Sequence, residues 1–319
     1  MFRLGSCWRF VMDGRMTGWA YIRVGALVML LMVEGCSVKR YAVNTVGDIL
    51  ASGDSVYESD NDIALVGEAL PFSLKLVESL LAESPHHRGL LLTAARGFVL
   101  YAYAYVYYDA EQAALEDFDR ARALRDRARG LYLRAFGYAL RAAEQAYPGF
   151  ADTLSSQPEA AARMITGSDE EDIALLYWTA ASLGLAISVS KNEPALLVRL
   201  PEVEALLDRA LVLDESWHAG ALHEFKITWA ASQPLRANPE EIRFHYERAL
   251  ALSQGRYASV YVAYAEAVAL PSQDRAGFVA LLEKALAIDP DVVPEHRLLN
   301  LIAQRRARWL LTRIDQLFL

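Results

Sequence analysis

His218, His223 and Glu224 are the residues of this chain whose types could hold a metal or run acid–base chemistry. Two imidazoles and a carboxylate make the ligand and general-base set of a zinc-hydrolase helix, where the histidines stand four apart on one face. Here they stand five apart, so one helical face does not stack them. His86-His87 follows Pro85 and reads as a solvated turn. Ser59-Asp-Asn-Asp62 has oxygen ligands for calcium but lacks the glycine and terminal glutamate of an EF-hand loop. It reads instead as the N-cap of a helix starting at Ile63. The sequence contains no Gly-rich phosphate loop, nucleophile elbow or His-Glu-x-x-His helix. The expectation is a protein without catalysis, cofactor or metal site.

Cys36 carries a different chemistry. A basic stretch (Arg9, Arg15, Arg23) precedes the apolar run Val24–Val33, which closes on Glu34-Gly35-Cys36. That is the layout of an export signal followed by processing. A cysteine directly after the cut is the thiol that bacterial lipoproteins acylate. Residues 1–35 are therefore expected to be a signal peptide, residues 36–43 a lipidated terminus and tether, and residues 44–319 one helical domain. The apolar run is about half the roughly 20 residues of a spanning helix. Membrane attachment is expected through acyl chains alone, since no Lys/Arg cluster follows to hold anionic lipid. Cys7 is the other cysteine, so the exported part has no disulfide. Four of the 32 basic and two of the 40 acidic residues precede Cys36, leaving a net charge of −10 beyond it. Phosphate binding wants a positive field, so nucleic acid is excluded as a partner.

These residues must be positioned by helices. Ala and Leu dominate, and no long β-branched alternation appears. Ser168-Asp-Glu-Glu171 is a capping box before Ile173–Val189. Asn238-Pro239-Glu-Glu241 supplies an N-cap, a first-turn proline and acids where the helix dipole favours them. Pro201 and Pro294 mark further starts. Leu100-Tyr-Ala-Tyr-Ala-Tyr-Val-Tyr-Tyr108 alternates with period two, a strand signal. Its neighbours Leu90–Phe98 and Glu111–Arg129 are helical in composition, so a helix is expected there too. Tyr101, Tyr105 and Tyr108 would share one face, and Tyr103 and Tyr107 another. Leu207-Asp-Arg-Ala-Leu-Val-Leu-Asp-Glu215, Tyr246-Glu-Arg-Ala-Leu-Ala-Leu-Ser253 and Leu282-Glu-Lys-Ala-Leu-Ala-Ile-Asp-Pro290 repeat one pattern. A small alanine recurs in each, at Ala210, Ala249 and Ala285. This is the second helix of a tetratricopeptide-type pair, with units near the 34-residue period. The expected fold is an all-α solenoid of stacked helix pairs with irregular capping helices. Trp178, Trp217, Trp229, Trp309, Tyr257, Tyr261 and Tyr264 add more aromatic surface than such a solenoid needs. Their polar tips want partners, which points to a groove or cavity.

Several ordered segments resemble one family. They are Ala69-Leu-Pro-Phe-Ser-Leu-Lys75, Glu78-Ser-Leu-Leu-Ala-Glu83, Leu90-Leu-Leu-Thr-Ala-Ala95 and Leu176-Tyr-Trp-Thr-Ala-Ala181. They continue with His218-Ala-Gly-Ala-Leu-His-Glu-Phe225, Tyr261-Val-Ala-Tyr-Ala-Glu-Ala267, Gln273-Asp-Arg275 and Asn300-Leu-Ile-Ala-Gln-Arg-Arg-Ala-Arg-Trp309. Over roughly residues 44–319 the chain resembles the helical T component of tripartite ATP-independent periplasmic (TRAP) transporters, TatT. The departure is Glu34 in the processing site. The resemblance implies a periplasmic, lipid-anchored, non-enzymatic partner of the transporter's solute-binding P component. It implies a homo-oligomer, a trimer in the family's pattern, with a passage through each protomer for a small, hydrophobic organic acid. It carries over as lining candidates Tyr177, Trp178, His218, His223, Glu224, Tyr261, Tyr264, Glu266, Asn300, Gln304 and Arg305. Tyr101 and Tyr105 join them from the tyrosine run. The rival readings are a tetratricopeptide lipoprotein for outer-membrane or pilus assembly and a free-standing carrier of hydrophobic ligands.

Overall fold

The computed structural model describes residues 41, 43–50, 56–233 and 238–318. Cys36, the signal segment 1–35 and all but residues 41 and 43 of the tether lie outside them. Gly47–Leu319 forms one compact unit, distinct from Met1–Val46. The described residues are helical throughout, with no strand among them.

Polar caps start the helices where the sequence places them. Asp62 accepts from the Ala64 and Leu65 amides and opens α1 (Ile63–Glu83). Helix α2 (Arg88–Tyr101) runs directly into a π-helical stretch, Ala102–Tyr107, and then α3 (Tyr108–Ala113). The tyrosine run is thus helical, as its neighbours require, but its turn is widened. By length and composition Arg88–Ala113 could cross a membrane, yet half of that apolar stretch is buried in protein. The expected helix Glu111–Arg129 is broken. Asp117 caps the Arg120 amide at 2.9 Å and starts α4 (Phe118–Ala146), because its carboxylate offers a free amide a better partner than a continued turn.

Two short helices follow, α5 (Phe150–Ser156) and α6 (Pro158–Met164), before α7 (Glu170–Ser188). Asp169, one residue after the expected Ser168, is the cap of α7 and accepts from the Asp172 amide at 2.9 Å. Helices α8 (Pro194–Leu197) and α9 (Leu200–Asp214) lead to a tight turn at Trp217–Gly220, then α10 (Ala221–Ala231). In that turn His218, Ala219 and Gly220 all have positive φ (43°, 51° and 96°). Three left-handed residues in succession reverse the chain sharply, at a steric cost for the two that carry a Cβ. Asn238 caps α11 (Pro239–Ser253) through the Glu240 amide. Helix α12 (Ala258–Tyr264) widens into a second π-helical stretch, Ala265–Ala269. Helices α13 (Arg275–Leu286), α14 (Arg297–Thr312) and α15 (Ile314–Leu317) complete the chain.

Neighbouring helices pack in succession: α2 on α4, α4 on α7, α7 on α9, α10 on α11, and α12 on α13 and α14. Ala210, Ala249 and Ala285 are fully buried, as close helix contacts demand. The last long helix returns to the first. The Leu298 amide donates to the Glu58 carbonyl at 2.8 Å, and Leu298 and Ile302 pack with Val66, Leu70 and Ala104. The array therefore closes upon itself instead of remaining open at its ends.

Candidate functional site

One arginine ties the second π-helical stretch to the short helix that follows the first. Arg306 on α14 reaches Glu111 on α3 and Glu266 in the second stretch. Four hydrogen bonds of 2.5–3.1 Å saturate most of the guanidinium. The three side chains are 15%, 19% and 27% exposed. Both carboxylates hold the Arg306 pKa well above its ordinary value against the opposing effect of its burial. A π-turn shifts side chains relative to an α-turn, and such stretches cluster at functional sites. The first one leaves the Ala104 carbonyl to accept from Arg305, whose guanidinium also lies 4.3 Å from the Tyr108 ring centroid.

Next to this triad stand aromatic and acidic side chains with an unusual combination of properties. Tyr103 keeps 42% of its surface accessible. Even so, burial pushes its phenol up to about 12, with the charges of Arg306, Glu266, Glu111 and Glu224 acting on it as lesser causes. Glu224, on α10, is partly accessible, yet burial pushes its carboxyl up to about 7. Ser259 Oγ donates to that carboxylate at 2.9 Å. Tyr177 on α7 is likewise raised by burial and next by the charge of Glu224. Tyr257 and Tyr107 share the pattern. Tyr132 is fully buried beside them and its hydroxyl has no protein partner.

The sequence-predicted residues divide. Tyr177, Glu224 and Glu266 belong to this group. Tyr177 also touches Trp178, Trp217 and Phe225, with ring centroids 4.8, 4.8 and 6.1 Å apart. The close crossing of α7 and α10 that brings them together depends on Gly184, where a Cβ would stand 3.1 Å from Phe225. The other residues make joints. Asn300 is fully buried, accepting from the Ala258 amide and donating to the Arg256 carbonyl. Gln304 donates to the carbonyls of Ala285, Leu286 and Ile288 at the end of α13. His223 is buried between His245, at 2.8 Å, and Glu215, at 3.2 Å. Its pKa is lowered chiefly by burial. His218 is exposed and pairs with Glu170. Tyr105 donates to the Ile63 carbonyl, Tyr101 accepts from Arg127, and Tyr264 stacks on Tyr246, which Tyr261 meets edge-on. Among the described residues no group of His, Cys, Asp and Glu is arranged to hold a metal.

The lining candidates leave out Tyr103, Tyr107 and Tyr257, which the sequence marks only as part of its aromatic surplus, and sequence reasoning passes over Glu111 and Arg306. The period-two run gave the signal for the first two. Arg306 stands beside the chosen Arg305, and the rotation of about 100° between neighbouring helical positions decides which one faces the triad. Two hollows on the outer surface, of about 240 and 420 Å³, contain none of the predicted lining residues.

The profile of one family, described as the TRAP transporter T-component, matches residues 59–318. The chain belongs to that family. A curated relative, an uncharacterised protein of Treponema pallidum (strain Nichols), is 31% identical over 311 residues, covering 92% of this chain and 96% of its own. The match runs from the turn before α1 to the residue after α15, so it includes every helix that contributes to the Arg306 triad. Membership makes this T-component an accessory of a TRAP transporter and places it at a periplasmic or membrane-associated location. The family is a transporter accessory family and not a family of enzymes.

Proposed function

We propose that this T-component is a lipid-anchored periplasmic scaffold that docks the transporter's solute-binding P component and passes a small ligand through the opening lined by Tyr103, Tyr177 and Glu224. On this reading the closed helical array is tetratricopeptide-like, self-associates, and does no covalent chemistry. The observation that carries it is the match of residues 59–318 to the TRAP transporter T-component family. An opening that is largely apolar with a few polar tips is what small-molecule sites present. The array's closure supports the reading, since stacked helix pairs bring distant side chains onto one concave surface.

The test is to plug the opening. Ser259→Trp beside Glu224 should abolish substrate uptake by cells carrying the transporter, while the P component still co-purifies. Normal uptake with the plug confirmed structurally would leave a docking scaffold and remove the passage. The anchor is tested apart: Cys36→Ser should move the protein from the detergent phase to the aqueous phase on Triton phase separation. Retention in detergent would show that an uncleaved apolar segment holds it instead.

A further inference from the structure

The smaller of the two outer hollows is walled by three helices, and its wall holds polar groups that the fold leaves unused. Lys226, Trp229 and Ala230 stand at i, i+3 and i+4 on α10, so one helical face presents them, and Gln233 follows just past the helix end. Asp208 on α9 and Glu241 on α11 add exposed carboxylates to the same hollow. Lys226 and Trp229 are buried, at 8% and 4% exposure. The indole packs its Cε3–Cζ3 edge on Gly184 of α7, where a Cβ would stand 3.2–3.3 Å away. Nε1 lies on the opposite edge of the ring, towards the hollow that Trp229 lines, and its N–H has no partner among the described residues. Gln233 Oε1 is buried and has none either. Lys226 Nζ donates to Asp208, which uses one of the three protons an ammonium carries.

We propose that this hollow binds a small zwitterion of the α-amino-acid class. Its carboxylate accepts from Lys226 Nζ and Trp229 Nε1, and its ammonium donates to Gln233 Oε1 and the Glu241 carboxylate. Buried donors and acceptors without partners cost free energy, and a solute that completes them recovers it. The two kinds of unused group call for the two halves of one ligand. The spare protons of Lys226 and the indole N–H need acceptors, which a carboxylate supplies with charge assistance. Gln233 Oε1 and Glu241 need a donor, which an ammonium supplies.

Neither half suffices alone. A simple carboxylic acid would leave Gln233 Oε1 unpaired and would face Glu241 and Asp208 without a compensating charge. A simple amine would leave the Trp229 N–H unpaired and would face the Lys226 ammonium. At about 240 Å³ the hollow is smaller than the roughly 300–1,000 Å³ of drug-sized pockets, which limits the ligand to a small amino acid. The site shares no residue with the opening lined by Tyr103, Tyr177 and Glu224, so it stands whether or not that opening passes a ligand.

The experiment is equilibrium dialysis of radiolabelled L-alanine, propionate and ethylammonium against the full chain in lipid nanodiscs at neutral pH, with empty nanodiscs subtracted. Propionate lacks the ammonium and ethylammonium lacks the carboxylate. L-alanine should bind about tenfold more tightly than either, since each analogue loses hydrogen bonds to a charged group. Trp229→Phe removes the indole N–H and keeps an apolar ring; it should weaken L-alanine about tenfold without lowering the urea midpoint. Gln233→Leu, just outside the helix, should produce a similar loss and serves as the test if Trp229→Phe does not fold. An analogue that matches L-alanine overturns the zwitterion. L-alanine binding that survives both variants overturns this hollow as its site. Binding of none of the three overturns the proposal altogether.

Discussion

Replacing Arg306 with methionine is the perturbation that most directly tests how this fold holds its centre. Methionine keeps most of the aliphatic length and removes the charge. Four hydrogen bonds disappear together, and Glu111 and Glu266 are left facing one another at 19% and 27% exposure. Removing one member of a buried ion network costs about 3–5 kcal/mol, because the penalty is dominated by the charges left behind. The residual exposure lets water reach the carboxylates, so the lower end, about 3 kcal/mol, is expected. Urea unfolding followed by far-UV circular dichroism reads it as a lower midpoint with an unchanged slope. Adding Glu111→Gln and Glu266→Gln to Arg306→Met should recover most of the loss, since neutralising a whole buried network is often nearly neutral. A cost below about 1 kcal/mol for Arg306→Met alone would refute the reasoning. The triad would then behave as a surface ion pair, and the second π-helical stretch and the short helix after the first would need another reason to converge.

Three further outcomes follow from the packing and the charges. Ala249 is fully buried with its Cα 3.3 Å from where a Cβ on Gly220 would sit, so Ala249→Leu should cost roughly 1–3 kcal/mol in urea midpoint through overpacking. Ala219 sits at φ 51°, so Ala219→Gly should stabilise by about 0.5–1 kcal/mol, and a lower midpoint would show that the methyl group is packed, not strained. Burial, then the charge of His223, pushes His245 down to about 4. A base whose folded pKa lies below its unfolded value near 6.5 contributes stability that is present above pH 6.5 and is lost as pH falls towards 4. Between pH 7.5 and pH 5 that loss should reach about 2 kcal/mol, and His245→Gln should flatten the pH dependence of the urea midpoint by most of it.

What the sequence disclosed was local. The caps at Asp62 and Asn238 and the buried alanines were legible because each depends on a side chain and its nearest turn. The break at Asp117 was not read, although its chemistry is equally local; the helical composition on both sides concealed it. The left-handed turn at His218 and Ala219 could not be read, since neither residue prefers that conformation and tertiary contacts must impose it. Within the site, the family resemblance pointed to Tyr177, Glu224 and Glu266, and aromatic surplus pointed to Tyr257 and the tyrosine run. The resemblance also named Asn300, Gln304 and His223, whose polar groups hold helix joints, a role that depends on partners from other helices. Arg306 was invisible because its partners lie 195 and 40 residues away.

The return of α14 to the start of the array also decides how this protein must fold. In an open stack of repeats each unit touches its neighbours alone, so ends fray, truncation is tolerated and folding spreads from any point. Here Arg297 donates to the Ser59 carbonyl across 238 residues, and Leu298 holds the neighbouring Glu58 carbonyl. Those contacts come at the full entropy of closing nearly the whole chain into a loop, a cost that rises slowly with length but delays the final step. Once made, they remove the free ends from which unravelling would begin. The unit should therefore melt in one transition, and a chain lacking its last two helices should lose its first helix as well.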